Sequence, residues 1–309
     1  MTQVVPDQRC SARSVLAAEP MTGTAGHVHA GYLLLEEPGP WAHNAFGEGL
    51  RGEINTAADQ VGIKALLIRA SGRRDRAATD RRVFAATIGT RRQIVTFTVS
   101  DPAELLALDL SSYARDLREI HPDAVEVNEP LMLVCTHAKR DQCCAIRGLP
   151  LAKALVQQHP AYIFECSHLG GHRFAATALA LPSGAVYGRL TKASAERAYA
   201  AERAHQVIAG DLRGMSHLPQ PAQVVDAELR SRLDLPLIDD VRLIECSKQS
   251  AGTHLVRMAA AEQTWRATVR IGQSAPKPPS CGKPDSTSKV YCIEALSVEA
   301  LSVEAPSSC

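Results

Sequence analysis

The chain has no apolar run close to the roughly 20 residues needed to cross a bilayer. Its first twenty residues carry Asp7, Arg9, Arg13 and Glu19 and contain no signal-peptide apolar core. A soluble, cytoplasmic protein is the expectation. Excess charge is also missing: 34 Lys+Arg against 33 Asp+Glu leave a formal net charge of +1 over 309 residues. Nothing global therefore calls for nucleic acid or an anionic membrane as partner. There is no Gly-x-Gly-x-x-Gly, no P-loop and no Gly-x-Ser-x-Gly, which removes the usual nucleotide and hydrolase signatures. A Cys-x-x-Cys pair is absent too, so a dithiol redox motif is not indicated.

What the chain does have is nine cysteines, an odd number at scattered spacing. In a reducing compartment such residues serve as small buried hydrophobes, ligands or redox groups more often than as a disulfide scaffold. Cys10, Cys246, Cys281, Cys292 and Cys309 have no partner at ligand spacing and read as packing or surface thiols. The informative group is central: Cys135, Cys144 nine residues on, and His168 and His172 in the string His168-Leu169-Gly170-Gly171-His172. Cysteine and histidine are the ligands of zinc, of soft metals and of iron–sulfur clusters.

The pattern along the chain is α/β. Strands are expected at 32–36, 63–68, 82–88 and 93–99, with a helix over 45–61 and a second helix capped by Asp101-Pro102. Between them lies an arginine-rich stretch with Arg69, Arg73, Arg74, Arg76, Arg81 and Arg82. Because it also contains Asp75 and Asp80 and no interleaved aromatics, it reads as a solvated loop rather than a nucleic-acid site. The second half repeats the alternation: strand 131–136, helix 148–158, strand 162–166, a short helix 172–179, a hairpin over 179–190 around Pro182-Ser183-Gly184, and helix 194–208. This βαβαββα order is that of a thioredoxin-like fold, and the first half is a candidate for a related, degenerate copy. The resulting division is an α/β region over 1–125, a thioredoxin-like domain over 126–215, a small α+β segment over 216–284 and a disordered tail over 285–309. The tail ends in a short duplication, Glu294-Ala295-Leu296-Ser297-Val298 followed by Glu299-Ala300-Leu301-Ser302-Val303.

In this reading Cys135 closes one strand and His168 follows the next, so both fall on the same carboxyl edge of the sheet, where ligands of open α/β folds collect. The glycines between the histidines allow close backbone approach or positive φ. A Cys-x8-Cys arm is longer than the knuckles of structural zinc sites, but His-x3-His suits zinc, which remains the main alternative. Cys143 beside Arg140 and Arg147 is a weak candidate for a low-pKa thiol. If the group were a [2Fe–2S] cluster, two thiolates and two neutral imidazoles would bring the oxidised core to zero charge. Such ligation moves potentials into the range of about −150 to +300 mV, from about −400 mV for plant-type clusters. A ligating imidazole keeps a second nitrogen whose proton responds to the cluster charge, so the potential should fall with pH.

Three runs carry a resemblance: Cys135-Thr136-His137-Ala138-Lys139-Arg140-Asp141-Gln142-Cys143-Cys144-Ala145, Ser167-His168-Leu169-Gly170-Gly171-His172-Arg173-Phe174-Ala175 and Leu181-Pro182-Ser183-Gly184-Ala185-Val186-Tyr187-Gly188-Arg189-Leu190. Together with Glu37-Pro38-Gly39-Pro40-Trp41, Leu212-Arg213-Gly214 and Ser280-Cys281-Gly282, they resemble the sucrase/ferredoxin-like family. The resemblance implies a thioredoxin-like ferredoxin with a [2Fe–2S] cluster, Cys135 and Cys144 on one iron and His168 and His172 on the other. It selects Cys144 over Cys143, which could substitute. Arg140, Asp141 and Arg173 are then expected around the ligands, tuning them. The implied role is one-electron transfer between unknown redox partner proteins, an electron carrier before an oxidoreductase; the alternative is a structural zinc protein or a cluster-free binding protein. Ala138 and Ala42 stand where the family pattern has glycine. The word "sucrase" finds no paired carboxylates to support it.

Overall fold

The computed structural model describes residues 7–70 and 80–299. The chain begins with α1 (Cys10–Leu16), then β1 (Gly31–Glu36), α2 (Leu50–Gln60), β2 (Ile63–Ala70), β3 (Arg81–Thr87) and β4 (Ile94–Val99). A series of 3-10 turns leads to the short β5 (Val125–Glu126). The second half runs β6 (Leu131–Cys135), α3 (Gln142–Val156), β7 (Ile163–Cys166), β8 (Ala178–Leu181), β9 (Ala185–Tyr187), α4 (Lys192–Arg203) and β10 (Leu212–Met215). Then come α5 (Gln220–Leu233), β11 (Val241–Ser250), β12 (Thr253–Ala260), β13 (Gln263–Gln273) and β14 (Lys289–Val298).

Ten strands form one mixed sheet in the order β10-β9-β8-β6-β7-β2-β1-β3-β4-β5. Each half contributes the same pattern. β1 and β2 are parallel, β3 runs antiparallel to β1, and β4 pairs with β3; likewise β6 and β7 are parallel, β8 is antiparallel to β6, and β9 pairs with β8. The halves meet edge to edge through the antiparallel β2–β7 pair, with Ile68 opposite Cys166 and Arg69 opposite Glu165. At this seam Arg69 and Glu165 form a buried ion pair at 2.8 Å, and the Arg69 guanidinium lies over the Trp41 ring at 4.1 Å. The expected boundary between 125 and 126 falls inside β5, at the far edge of this sheet.

Central strands covered on both faces read as continuous apolar runs, and β6, Leu-Met-Leu-Val-Cys, is buried throughout. Leu131, Leu133 and Cys135 join a core on one face with Leu34, Phe84 and Phe164. Met132 and Val134 join the opposite core with α3, α4, α5 and the separate four-stranded sheet β11-β12-β13-β14.

Several expected elements change. Helix α2 starts at Leu50 and not 45, behind Gly49 at φ +67. Helix α3 begins six residues before the expected Gly148, because the Asp141 carboxylate caps it by accepting the Cys143 N–H at 2.8 Å. The expected helix over 172–179 is a three-residue 3-10 turn, His172–Phe174. Gly170 and Gly171 precede it in the left-handed region, and Ala178–Leu181 is taken up as β8 against β6. The expected disordered tail is corrected over 289–298: Tyr291, Ile293 and Leu296 pack against the core as β14 pairs with β13. Residues 300–309, which hold all of the second copy of the duplication but Glu299, and Arg73, Arg74, Arg76 and Asp75 of the arginine stretch lie outside the described residues.

Candidate metal centre

Cys135 ends β6, and Cys144 sits in the first turn of α3; both are about 1% exposed. Their juxtaposition has a simple cause. Gly148 lies against the end of β6 so closely that a Cβ there would stand 2.1 Å from the Cys135 carbonyl oxygen. Cys144 is one helical turn before Gly148, on the same face, and is carried in beside Cys135.

His168, just past β7, completes the group. Its Nδ1 is 3.9 Å from Cys135 Sγ and 3.8 Å from Cys144 Sγ. All three donor atoms lie within 4.8 Å of one another. A tetrahedral ion with metal–sulfur and metal–nitrogen bonds of about 2.3 and 2.0 Å separates its S and N donors by about 3.6 Å, so these distances suit donors around one metal atom. Cys144 S–H donates to Cys135 and holds that thiol well below its ordinary value against the effect of burial, and His168 adds to the lowering. The same interaction, with burial, pushes Cys144 up.

His172 stands one ring further out. Its Nδ1 is 3.4 Å from His168 Nε2, and the rings stack at 5.3 Å between centroids. Its Nε2 is 2.6 Å from the Pro279 carbonyl oxygen. That oxygen can only accept, so Nε2 carries the proton and Nδ1 presents its lone pair. Burial lowers the His172 pKa, with nearby Asp141 acting the other way, which leaves the ring neutral and able to ligate. The four expected ligands thus gather at one sheet edge, but Cys135, Cys144 and His168 form the compact set and His172 backs His168.

The groups expected around the ligands divide. Asp141 is central: it accepts from Cys143 N at 2.8 Å, Ser280 Oγ at 2.7 Å and Cys281 N at 2.9 Å, and its Oδ2 lies 3.7 Å from His172 Nε2. Burial alone would raise its pKa, but the bonds from Cys281, Ser280 and Cys143 together bring it down to about 2. Arg173 turns to Glu19 at 2.7 Å, and Arg140 is exposed on the loop.

One buried charge beside the site was not singled out from sequence, although it lies in the Leu212-Arg213-Gly214 motif. Arg213 is 1% exposed, and its guanidinium donates to the Gly170 carbonyl oxygen at 3.0 Å, to Thr24 O at 2.5 Å and to Thr24 Oγ1 at 3.1 Å. Among the described residues these hydrogen-bond partners are all neutral oxygens. Burial, then the Arg173 charge, lowers its pKa to about 10, while Cys135 and Cys144 oppose the fall. A buried cation is costly unless compensated; three hydrogen bonds and the Phe174 ring, 5.5 Å from the guanidinium carbon, offset part of that cost. The same guanidinium explains Gly171, where a Cβ would come within 2.3 Å of it. Cys10 and Cys281, read above as isolated thiols, are not: both contact Cys143.

A mixed α/β protein with buried thiols and imidazoles converging at one sheet edge is a candidate metalloprotein, consistent with the donor chemistry. The chain belongs to the sucrase/ferredoxin-like family, whose model matches residues 21–214. No curated protein and no solved structure matches it. Among the described residues no helix is long and apolar enough to cross a membrane.

Proposed function

We propose that the protein is a thioredoxin-like iron–sulfur electron carrier whose two halves are related copies of that fold. The repeated strand order β2-β1-β3-β4 and β7-β6-β8-β9 supports the fold reading, and family membership supports the ferredoxin reading. The observation that carries the function is the convergence of two buried thiols on His168 Nδ1, beside a buried arginine whose hydrogen bonds go to neutral oxygens.

The ligand types, two thiols and two imidazoles, are those that can hold a [2Fe–2S] cluster: Cys135, Cys144, His168 and His172 would hold it, and Gly170 leaves open space beside the loop, with nothing within 4 Å of a Cβ placed there. When bound, the cluster would supply one-electron redox chemistry. The protein's own contribution is to orient and tune. Asp141 and Pro279 hold His172 and its proton at Nε2; Arg213 anchors the loop through Gly170 and favours added negative charge. The partners we propose are redox proteins, donor and acceptor, in a reducing cytoplasm; the eight described cysteines form no disulfide.

A second reading is a structural zinc site, favoured by the compactness of the Cys135, Cys144 and His168 donors. Anaerobic purification separates the two. The cluster reading expects red-brown protein with two irons and two sulfides per chain and a potential that falls between pH 6 and 9. Colourless protein with one zinc bound through Cys135 would overturn it.

A further inference from the structure

We propose that Cys10, Cys143 and Cys281, with Asp141, form a second and separate centre for a thiophilic divalent cation of the zinc class. The three sulfurs make a triangle: Cys10–Cys143 at 3.5 Å, Cys143–Cys281 at 3.3 Å and Cys281–Cys10 at 3.6 Å. A disulfide would bring one pair to about 2.05 Å, so no two are bonded. Four thiolates about 2.3 Å from a tetrahedral zinc stand about 3.8 Å apart, which is close to this triangle with the ion left out. Both Asp141 carboxylate oxygens lie 3.8 Å from Cys10 Sγ, in place for the fourth vertex.

The setting favours a metal over packing. Among the described residues, the local core holds only Ala175 apart from these cysteines, too little apolar surface to hold three segments together. Those segments are remote in sequence: α1, the first turn of α3 and the loop between β13 and β14. Helix α1 is seven residues long with no side-chain cap, too short to be stable without an anchor. The carboxylate is already oriented by Ser280 Oγ, Cys281 N and Cys143 N. The adjacent pair Cys143-Cys144 also acquires a reason. Successive helix positions project about 100° apart, so one cysteine serves each centre. Two of the three thiols, Cys10 and Cys281, lie outside the residues matched by the family model.

The test uses the full chain carrying Cys135→Ser and Cys144→Ser, which silences the first centre, stripped of metal under reducing conditions and titrated with Co2+. The expected result is one Co2+ per chain with tetrahedral d–d and thiolate-to-cobalt charge-transfer absorption, displaced by Zn2+. Adding Cys281→Ser should weaken the affinity at least about tenfold and reduce the charge-transfer band; Cys292→Ser, at an exposed thiol, should change neither. Absence of the charge-transfer band, or a titration indifferent to Cys281→Ser, would overturn the proposal. Because the doubly substituted chain could lose its fold, the unsubstituted chain is alkylated with and without Zn2+ and the peptides weighed. Protection of Cys10 and Cys281 supports the centre, and equal labelling refutes it. Neither measurement depends on whether the first centre holds iron.

Discussion

Replacing Gly148 by alanine tests how the first centre is built, whatever metal it holds. The added Cβ would meet the Cys135 carbonyl oxygen at 2.1 Å, with the carbonyl carbon at 3.2 Å. Carbon and oxygen do not approach closer than about 3.2 Å without strain, so α3 and the end of β6 must separate by about 1 Å; overpacking of this kind costs about 1–3 kcal/mol. Metal–ligand distances tolerate about ±0.2 Å, several times less than that shift, and Cys144 rides on the displaced turn. Gly148→Ala should therefore fold, lose about 1–3 kcal/mol in urea unfolding, and be purified with most of its metal or cluster missing. Gly170→Ala is the comparison. Its φ of +82 makes alanine strained by about 1–2 kcal/mol, but a Cβ there meets nothing within 4 Å, so metal content should survive. Wild-type metal content in Gly148→Ala, measured per chain by elemental analysis, would refute the argument that this contact sets the cysteine pair.

Arg213→Met removes the buried cation and the bond to Gly170, so the potential of a redox centre should drop and the His168–His172 loop should exchange its amides faster; an unchanged potential in film voltammetry would remove Arg213 from the site. At the seam, Arg69→Ala takes a cation from beside the buried Glu165 carboxylate, which keeps its bond from Thr136 Oγ1 at 2.9 Å, and should cost about 3 kcal/mol, whereas Arg69→Met combined with Glu165→Gln should recover much of it; urea melts that show no such recovery would argue against a buried charge penalty. His217 supplies a pH test: burial, then Arg92, lowers its pKa from 6.5 to about 4. The unfolded chain takes up this proton near pH 6.5 and the folded chain only near 4, so the stability from keeping His217 neutral is present above pH 6.5 and drains away as pH falls to 4, by about 2–3 kcal/mol. The difference in urea midpoint between pH 7 and 4.5 should shrink in His217→Gln, and an equal difference would show that other groups carry the loss.

The strands β1, β2, β6 and β7 were legible because each is an apolar run with clear punctuation, and the approach of Cys135 and His168 followed from their strand ends. What sequence patterning missed had physical causes. The start of α3 is set by one carboxylate, Asp141, that caps a turn of polar and cysteine residues with no apolar period of its own. β14 was hidden because its apolar face is interleaved with Lys289, Glu294 and Ser297 and follows a Pro- and Ser-rich loop. Arg213 stood out only as part of its motif, since nothing in a one-dimensional pattern reveals that a cation will be buried against Thr24 and Gly170. Cys10 and Cys281 looked solitary for the same reason: they meet Cys143 across 133 and 138 residues of chain, and spacing arguments work only over a few turns.

The loop from Pro279 to Cys281 ties these pieces into one device. Its first residue accepts a hydrogen bond from His172 Nε2, Ser280 and Cys281 donate to Asp141, and the Cys281 thiol reaches Cys143. Asp141 Oδ2 stands 3.7 Å from His172 Nε2 and 3.8 Å from Cys10 Sγ, so a single carboxylate touches both groups of donors. Binding a cation at the three cysteines would draw negative charge from Asp141 and weaken its hold on a protonated His172, whereas emptying that centre would strengthen it. Two centres that share one carboxylate are coupled, and by linkage the coupling is reciprocal. Occupancy of the second centre should shift the pH at which the potential of the first begins to fall, and Asp141→Asn should abolish that shift while leaving Cys135, Cys144 and His168 in place. A potential whose pH profile ignores Zn2+ at the second centre would mean that Asp141 serves only to cap α3.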